Sequence, residues 1–172
     1  MTVDMEALHA RLLEMMKEFH RVCVENGIRY YLVGGTALGA RRHGGFIPWD
    51  DDMEVCVPRE DYERLKRIAG LVFPEYLELM DYSAQPNRPM HFLKLIDART
   101  TLIERSFRNC VEGVYIDIFP LDGALNPKCM AEKLRLLRVR FYKAVCMYHC
   151  TTDTKRNSAK ELLLWPTSCS FR

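Results

Sequence analysis

The segment Asp50-Asp51-Asp52-Met53-Glu54 sets four carboxylates within five positions, between Trp49 on one side and Val55 and Val57 on the other. Apolar flanks of this kind belong to a sheet, and the run is expected to be a strand from Asp50 to Val57, closed by Pro58. Side chains of a strand alternate in direction, which puts Asp50, Asp52 and Glu54 on one face and Asp51 on the other. Same-face neighbours lie ~7 Å apart, and in a partly buried setting their like charges raise one another's pKa unless a cation neutralises them. Oxygen donors converging from one face suit Mg²⁺ or Mn²⁺, which use one or two carboxylates and leave positions open for substrate phosphates. For the run alone, an acidic turn solvated at a strand end is the plainer alternative.

Two further features bear on that choice. Gly34-Gly35-Thr36 lies between a short buried strand, Ile28 to Val33, and a short helix, Ala37 to His43, that Thr36 is placed to cap. Without side chains, the backbone N–H groups of such a turn approach a phosphate closely, aided by the helix N-terminus. The turn matches neither the Walker loop nor the GxGxxG fingerprint, and a Gly-Gly pair also occurs simply as a turn. The second feature is Asp117, set among Tyr115, Ile116, Ile118 and Phe119 in a predicted buried strand. It requires a partner there, and either a structural hydrogen bond or a role as a third metal-facing carboxylate supplies one.

The rest of the chain reads as alternating helices and strands. Leu8, Leu12, Met15, Met16, Phe19, Val22 and Cys23 recur at helical spacing from Asp4 to Glu25, with Asn26-Gly27 as the stop. A surface helix is predicted over 59–71, with Tyr62, Leu65, Ile68 and Ala69 inward, and a long one from Pro127 to His149. Strands are predicted at 76–80, 91–96, 101–104 and 114–119, with a polar loop over 83–89 and a polar linker over 151–158. A further helical turn is expected within 160–165. The length of 172 residues argues for a single domain over 1–165, with 166–172 as a frayed tail.

Hydrophobic residues at 48% and charged residues at 28% belong to a soluble globular protein, and a net charge of +2 gives no support for a nucleic-acid binder. No apolar run reaches the ~20 residues of a membrane span and no secretory leader is evident, so the cytoplasm is the expected location. Seven scattered cysteines imply no disulfide framework. Cys146, His149 and Cys150 are spaced closely enough for a metal site, but they lack a second ligand pair, and free cysteines are commonly buried small hydrophobes.

Taken as one motif, Tyr31-Leu32-Val33-Gly34-Gly35-Thr36-Ala37-Leu38-Gly39-Ala40-Arg41-Arg42-His43-Gly44-Gly45-Phe46-Ile47-Pro48-Trp49-Asp50-Asp51-Asp52-Met53-Glu54-Val55 closely resembles the signature of the LicD family, which includes bacterial phosphocholine transferases and fukutin-type transferases. The resemblance continues in Arg59-Glu60-Asp61-Tyr62, in Lys94-Leu95-Ile96-Asp97 before Thr100, and in Tyr115-Ile116-Asp117-Ile118-Phe119-Pro120-Leu121-Asp122, covering residues 10 to 125. It implies an α/β (α+β) fold of the DNA polymerase β nucleotidyltransferase type, a mixed sheet flanked by helices. It also implies transfer of a phospho-alcohol, such as phosphocholine or ribitol phosphate, from a CDP-linked donor to a sugar hydroxyl of a glycan or glycolipid. Lipopolysaccharide, teichoic acid and capsule are the acceptor types, and peripheral membrane association is compatible with them.

Carried over residue by residue, the resemblance makes Asp50, Asp52, Glu54 and Asp117 the ligands of Mg²⁺ or Mn²⁺, with Asp50, Asp52 and Asp117 catalytic. Gly34, Gly35, Thr36, Arg42, His43 and Lys94 become substrate-binding residues, the last three as donors to phosphate oxygens, with plain surface charge as the other reading of each. Trp49 is expected to pack under the acidic strand, and Arg41 and Asp51 to face solvent or support the site. The chain departs from the family pattern at Glu54, where Asp is usual. It also has 16 residues between Gly35 and Asp52, a long gap, which leaves the chief metal pair as Asp50 with Asp52 or Asp52 with Glu54. Family members commonly run on well past residue 172, which makes this chain a candidate for C-terminal truncation. Two other functions fit the same motif: a nucleotidyltransferase attacking the α-phosphorus of an NTP, and a non-catalytic sugar- or nucleotide-binding relic.

Overall fold

The computed structural model describes residues 4–81, 92–103, 111–124, 126 and 128–150. They fall into two units, one formed by 4–81, 92–103 and 111–122 and the other by the described residues from 123 onward. The predicted polar loop at 83–89, the linker, the last helical turn and the tail lie outside the described residues.

The first unit opens with helix α1, Met5–Glu25. Its first turn is closed by the Asp4 carboxylate, which accepts from the amides of Glu6 and Ala7 at 3.1 and 3.2 Å. Its end is set by Asn26, whose backbone and side-chain N–H groups both donate to the Val22 carbonyl, and by Gly27 at a φ of 61°. Leu12, Met15, Met16, Phe19, Val22 and Cys23 make the buried stripe expected from their spacing.

Strand β1 is Tyr31–Leu32, helix α2 is Gly34–His43, strand β2 is Glu54–Pro58, and helix α3 is Arg59–Val72. Strands β3 (Leu77–Met80), β4 (Leu93–Asp97), β5 (Leu102–Ile103), β6 (Val111–Glu112) and β7 (Tyr115–Leu121) follow. The main sheet has the order β1-β2-β7-β4-β3, with β2 and β7 parallel and the other pairs antiparallel; β5 and β6 form a separate two-stranded sheet. The expected mixed sheet flanked by helices is therefore present. Strand β6 was not foreseen.

Three expectations are corrected. The strand predicted over Ile28–Val33 shrinks to two paired residues, and Tyr31 and Leu32 are exposed rather than buried. They lie on the sheet edge with β2 as their one neighbour, and aromatic or branched side chains do not distinguish an edge from a centre. Thr36 does not cap α2, which begins at Gly34; its hydroxyl is engaged elsewhere. The acidic strand begins at Glu54, not Asp50, so Asp50, Asp51 and Asp52 precede the ladder and strand alternation does not govern them.

The core joins α1 (Leu12, Met15, Phe19, Val22) to Val55 and Val57 of β2, Leu65 of α3, Leu93 and Leu95 of β4, and Ile116 and Ile118 of β7. Polar ties fix the sheet against its helices. Fully buried Asp97 at the end of β4 receives Arg11 of α1 and also the Arg99 backbone amide and guanidinium, at 3.0 and 3.1 Å. Thr100 donates its hydroxyl to the Asp97 carbonyl and accepts from the Val114 amide, and a side chain on Gly113 would strike that same carbonyl. Arg59, heading α3, grips Asp122 after β7 with two bonds of 2.6 and 2.7 Å.

In the second unit, helix α4 runs from Met130 to Cys150. It starts three residues later than Pro127, because Asn126 first closes a turn, accepting from Lys128 through its side chain and from Cys129 through its carbonyl. The side chains of Cys146, His149 and Cys150 lie outside the described residues. Among the described residues, no helix is long and apolar enough to cross a membrane.

Candidate functional site

The two glycines after β1 are required by the carboxylates that press on them. Gly34 has a φ of 53°, and a Cβ built there would lie 1.7 Å from Glu54 Oε2; one on Gly35 would lie 2.4 Å from Asp50 Oδ2. Glu54 laces the turn to the sheet. Its Oε2 accepts from the Gly35 amide at 2.9 Å, its own amide donates to Thr36 Oγ1 at 2.8 Å, and its carbonyl accepts from the Val33 amide at 3.2 Å. The amide at the head of α2 that was expected to face a phosphate is thus occupied by a carboxylate of the chain itself.

Asp50, Asp51 and Asp52 each offer a carboxylate oxygen, all within 4.8 Å of one another. Asp51, expected to point away, belongs to this group, while Glu54 is engaged at the turn. Burial pushes the Asp52 carboxyl up to about 6, and Glu54, Asp50 and Asp51 add to the shift while Lys94 opposes it. Asp50 is raised as well, by burial first and by Asp51 second. Three hard oxygen donors this close together, two of them with raised carboxyls, fit a divalent cation of the Mg²⁺ or Mn²⁺ type.

Asp117 is placed by the register of the sheet. Glu54 of β2 and Lys94 of β4 both pair with Asp117 of β7, so the three form one row across the central strands. The Asp117 amide donates to the Met53 carbonyl at 2.8 Å, and its carboxylate lies 3.8 Å from Lys94 Nζ. Lys94 is 1% exposed, with its ammonium 3.5 Å from Glu112 and 3.3 Å above the centre of the Tyr115 ring. An enclosed ammonium held by two carboxylates acts as an internal counter-ion to the row and is not presented at the surface as an open phosphate donor.

Arg42 and His43 sit exposed in the last turn of α2, where cations also suit the helix dipole, and among the described residues neither bonds to the acidic segment. Trp49 is 78% exposed and does not pack under the acidic segment; with Asp50 to Asp52 outside the ladder there is no strand face there for it to cover.

His9 of α1, absent from the sequence reading, reaches the site. Its Nε2 lies 2.6 Å from the Asp50 carbonyl oxygen, and its ring stacks on Phe46. Nothing local marks a lone histidine on an amphipathic helix for such a role. A cavity of about 100 Å³ with largely apolar walls opens beside the acidic segment, lined by Leu13, Leu32, Thr36, Phe46, Asp50 and Met53 among others.

The family described as LicD/FKTN/FKRP, nucleotidyltransferase domain, matches residues 27–134. The lipopolysaccharide cholinephosphotransferase LicD of Haemophilus influenzae is 35% identical over 136 residues, which are 75% of this chain and 50% of that protein. The human ribitol 5-phosphate transferase FKRP is 46% identical over 44 residues, 26% of this chain and 9% of its own length. Mannosyltransferase regulator 4 of Saccharomyces cerevisiae is 29% identical over 115 residues, 67% of this chain and 9% of that protein. The chain therefore spans about half the length of the LicD protein and smaller shares of the others.

Proposed function

The chain belongs to the LicD family, and from that membership we propose that it transfers a phospho-alcohol group from a CDP-linked donor to a hydroxyl of a glycan, with Mg²⁺ or Mn²⁺ held by Asp50 and Asp52. The observation that carries this reading is the convergence of three aspartates at the entrance to β2, where burial and mutual repulsion push Asp52 up to about 6. When bound, the cation supplies charge neutralisation at the donor diphosphate as CMP leaves.

The chain's own residues divide the remaining work. Asp50 and Asp52 hold the site, and Glu54 fixes the Gly34-Gly35 turn so that Asp50 can lie over it. Asp117, whose backbone N–H donates to the Met53 carbonyl and whose carboxylate lies opposite Lys94, accepts the proton of the acceptor hydroxyl. Arg42, exposed at the end of α2, meets donor phosphate oxygens through its guanidinium. The cavity beside Asp50 gives the alcohol portion of the donor a place next to the reacting phosphorus. An acceptor glycan carried on lipid brings the protein to the cytoplasmic face of a membrane as a peripheral partner.

The test is CMP release from a panel of CDP-alcohols, with CDP-choline and CDP-ribitol first because of the relatives' names. Release should require Mg²⁺ or Mn²⁺ and fall at least about 100-fold on Asp52→Asn; turnover that persists in EDTA contradicts it. The family's description as a nucleotidyltransferase domain favours one second reading, attack on an NTP. Pyrophosphate in place of CMP would identify that reaction.

A further inference from the structure

His9 lies outside the residues on which the family match rests, eighteen positions before the match begins at residue 27. It is nonetheless bonded to the first residue of the acidic run. A carbonyl oxygen only accepts, so Nε2 carries the proton and donates to Asp50, across 41 positions of sequence and at 2.6 Å. The imidazole is held flat against Phe46, with ring centroids 4.2 Å apart and planes 3° from parallel. Phe46 in turn packs against the core.

Asp50 has few other restraints. Its amide donates to the Ile47 carbonyl at 3.0 Å, and its carboxylate rests over Gly35, where any side chain would collide with it. The segment from Asp50 to Met53 precedes the ladder of β2, so among the described residues no strand pairing fixes the three aspartates against their mutual repulsion. Helix α1, by contrast, is capped at Asp4 and buried along one face.

We infer that His9 is a positioning residue: by clamping the Asp50 carbonyl to α1 through a ring locked on Phe46, it holds the acidic segment in the shape that receives the divalent cation. This inference rests on the metal reading given above. Its logic is that of the outer ligands of metal sites, which fix the groups that touch the ion without touching it themselves.

Two substitutions separate the donor from the ring. His9→Phe keeps the stack and removes the N–H; His9→Gln keeps a donor of similar reach and removes the aromatic ring. Each full-length variant is titrated with Mn²⁺ by electron paramagnetic resonance, and amide hydrogen exchange over residues 48–53 is followed without metal. His9→Phe should weaken Mn²⁺ binding at least about tenfold and speed exchange in that segment alone, with the exchange of the sheet unchanged. His9→Gln should recover most of both. Turnover of CDP-alcohol in His9→Phe should regain its kcat at saturating Mn²⁺. Wild-type Mn²⁺ affinity in His9→Phe, or equal losses in both variants, overturns the inference and leaves the metal reading standing. Wild-type protein that binds no Mn²⁺ overturns the metal reading and the inference together.

Discussion

At Asp52, burial and the carboxylates of Glu54, Asp50 and Asp51 act in the same direction, and Lys94 opposes them. A carboxyl at about 6 in the fold, against about 3.9 in an unfolded chain, binds its proton more tightly when folded. Its contribution to stability is complete below the unfolded value and is lost as the pH rises through about 6, a loss on the order of 1 to 2 kcal/mol by neutral pH once solvent screening of this partly exposed group is allowed for. Metal-free wild-type protein should therefore weaken between pH 4 and pH 7, whereas Asp52→Asn should not show this component. At pH 7.5 the variant is expected to be about 1 to 2 kcal/mol more stable than wild type in urea unfolding without metal, though poorer in every function that needs the cation. Equal pH profiles for the two proteins would show that Asp52 is not under this strain. Glu54 illustrates the opposite case, a carboxylate held by a backbone amide and acting as a brace for the turn.

Among the elements, β7 matters most to the site because it brings Asp117 into one row with Glu54 of β2 and Lys94 of β4. Lys94→Met would leave Glu112 and Asp117 buried without their ammonium, and should cost about 3 to 5 kcal/mol of stability by denaturant titration. It should also push Asp52 further up, since the opposing charge of Lys94 is lost. A change below about 1 kcal/mol would mean that the row is not held by this ion. Much of this layout was legible beforehand where the signals are local. The Asn26-Gly27 stop, the stripe on α1 and the buried Asp117 all depend on neighbours a few residues away. The rest depends on pairing that sequence does not display. Alternating carboxylates looked like a strand, yet Asp50 to Asp52 fall before the ladder; Tyr31 and Leu32 looked buried, yet lie on an edge; and His9 is bonded to a residue 41 positions away. Lys94 was read as a phosphate donor because its burial arises only once β4 is placed at the centre of the sheet.

Across the whole molecule, the family match at 27–134 takes in the seven described strands and the acidic segment, while α1 lies outside it and still supplies His9 and Leu13 to the site. The motif residues serve two distinct ends. Asp97, Arg59 and Asp122 fasten helices to the sheet, whereas Asp50 and Asp52 lie just before β2 and Asp117 pairs with the first residue of that strand, Glu54. A site that stores repulsion in this way should bind a divalent cation and be stabilised by it, more strongly at pH 7.5 than at pH 5, where protons compete for Asp52. The most direct measurement is a calorimetric titration of Mg²⁺ into wild type and Asp52→Asn at those two pH values. Saturable binding by wild type at pH 7.5, weaker at pH 5 and lost in the variant, is the predicted result; no binding by wild type, or equal binding by the variant, would contradict the account.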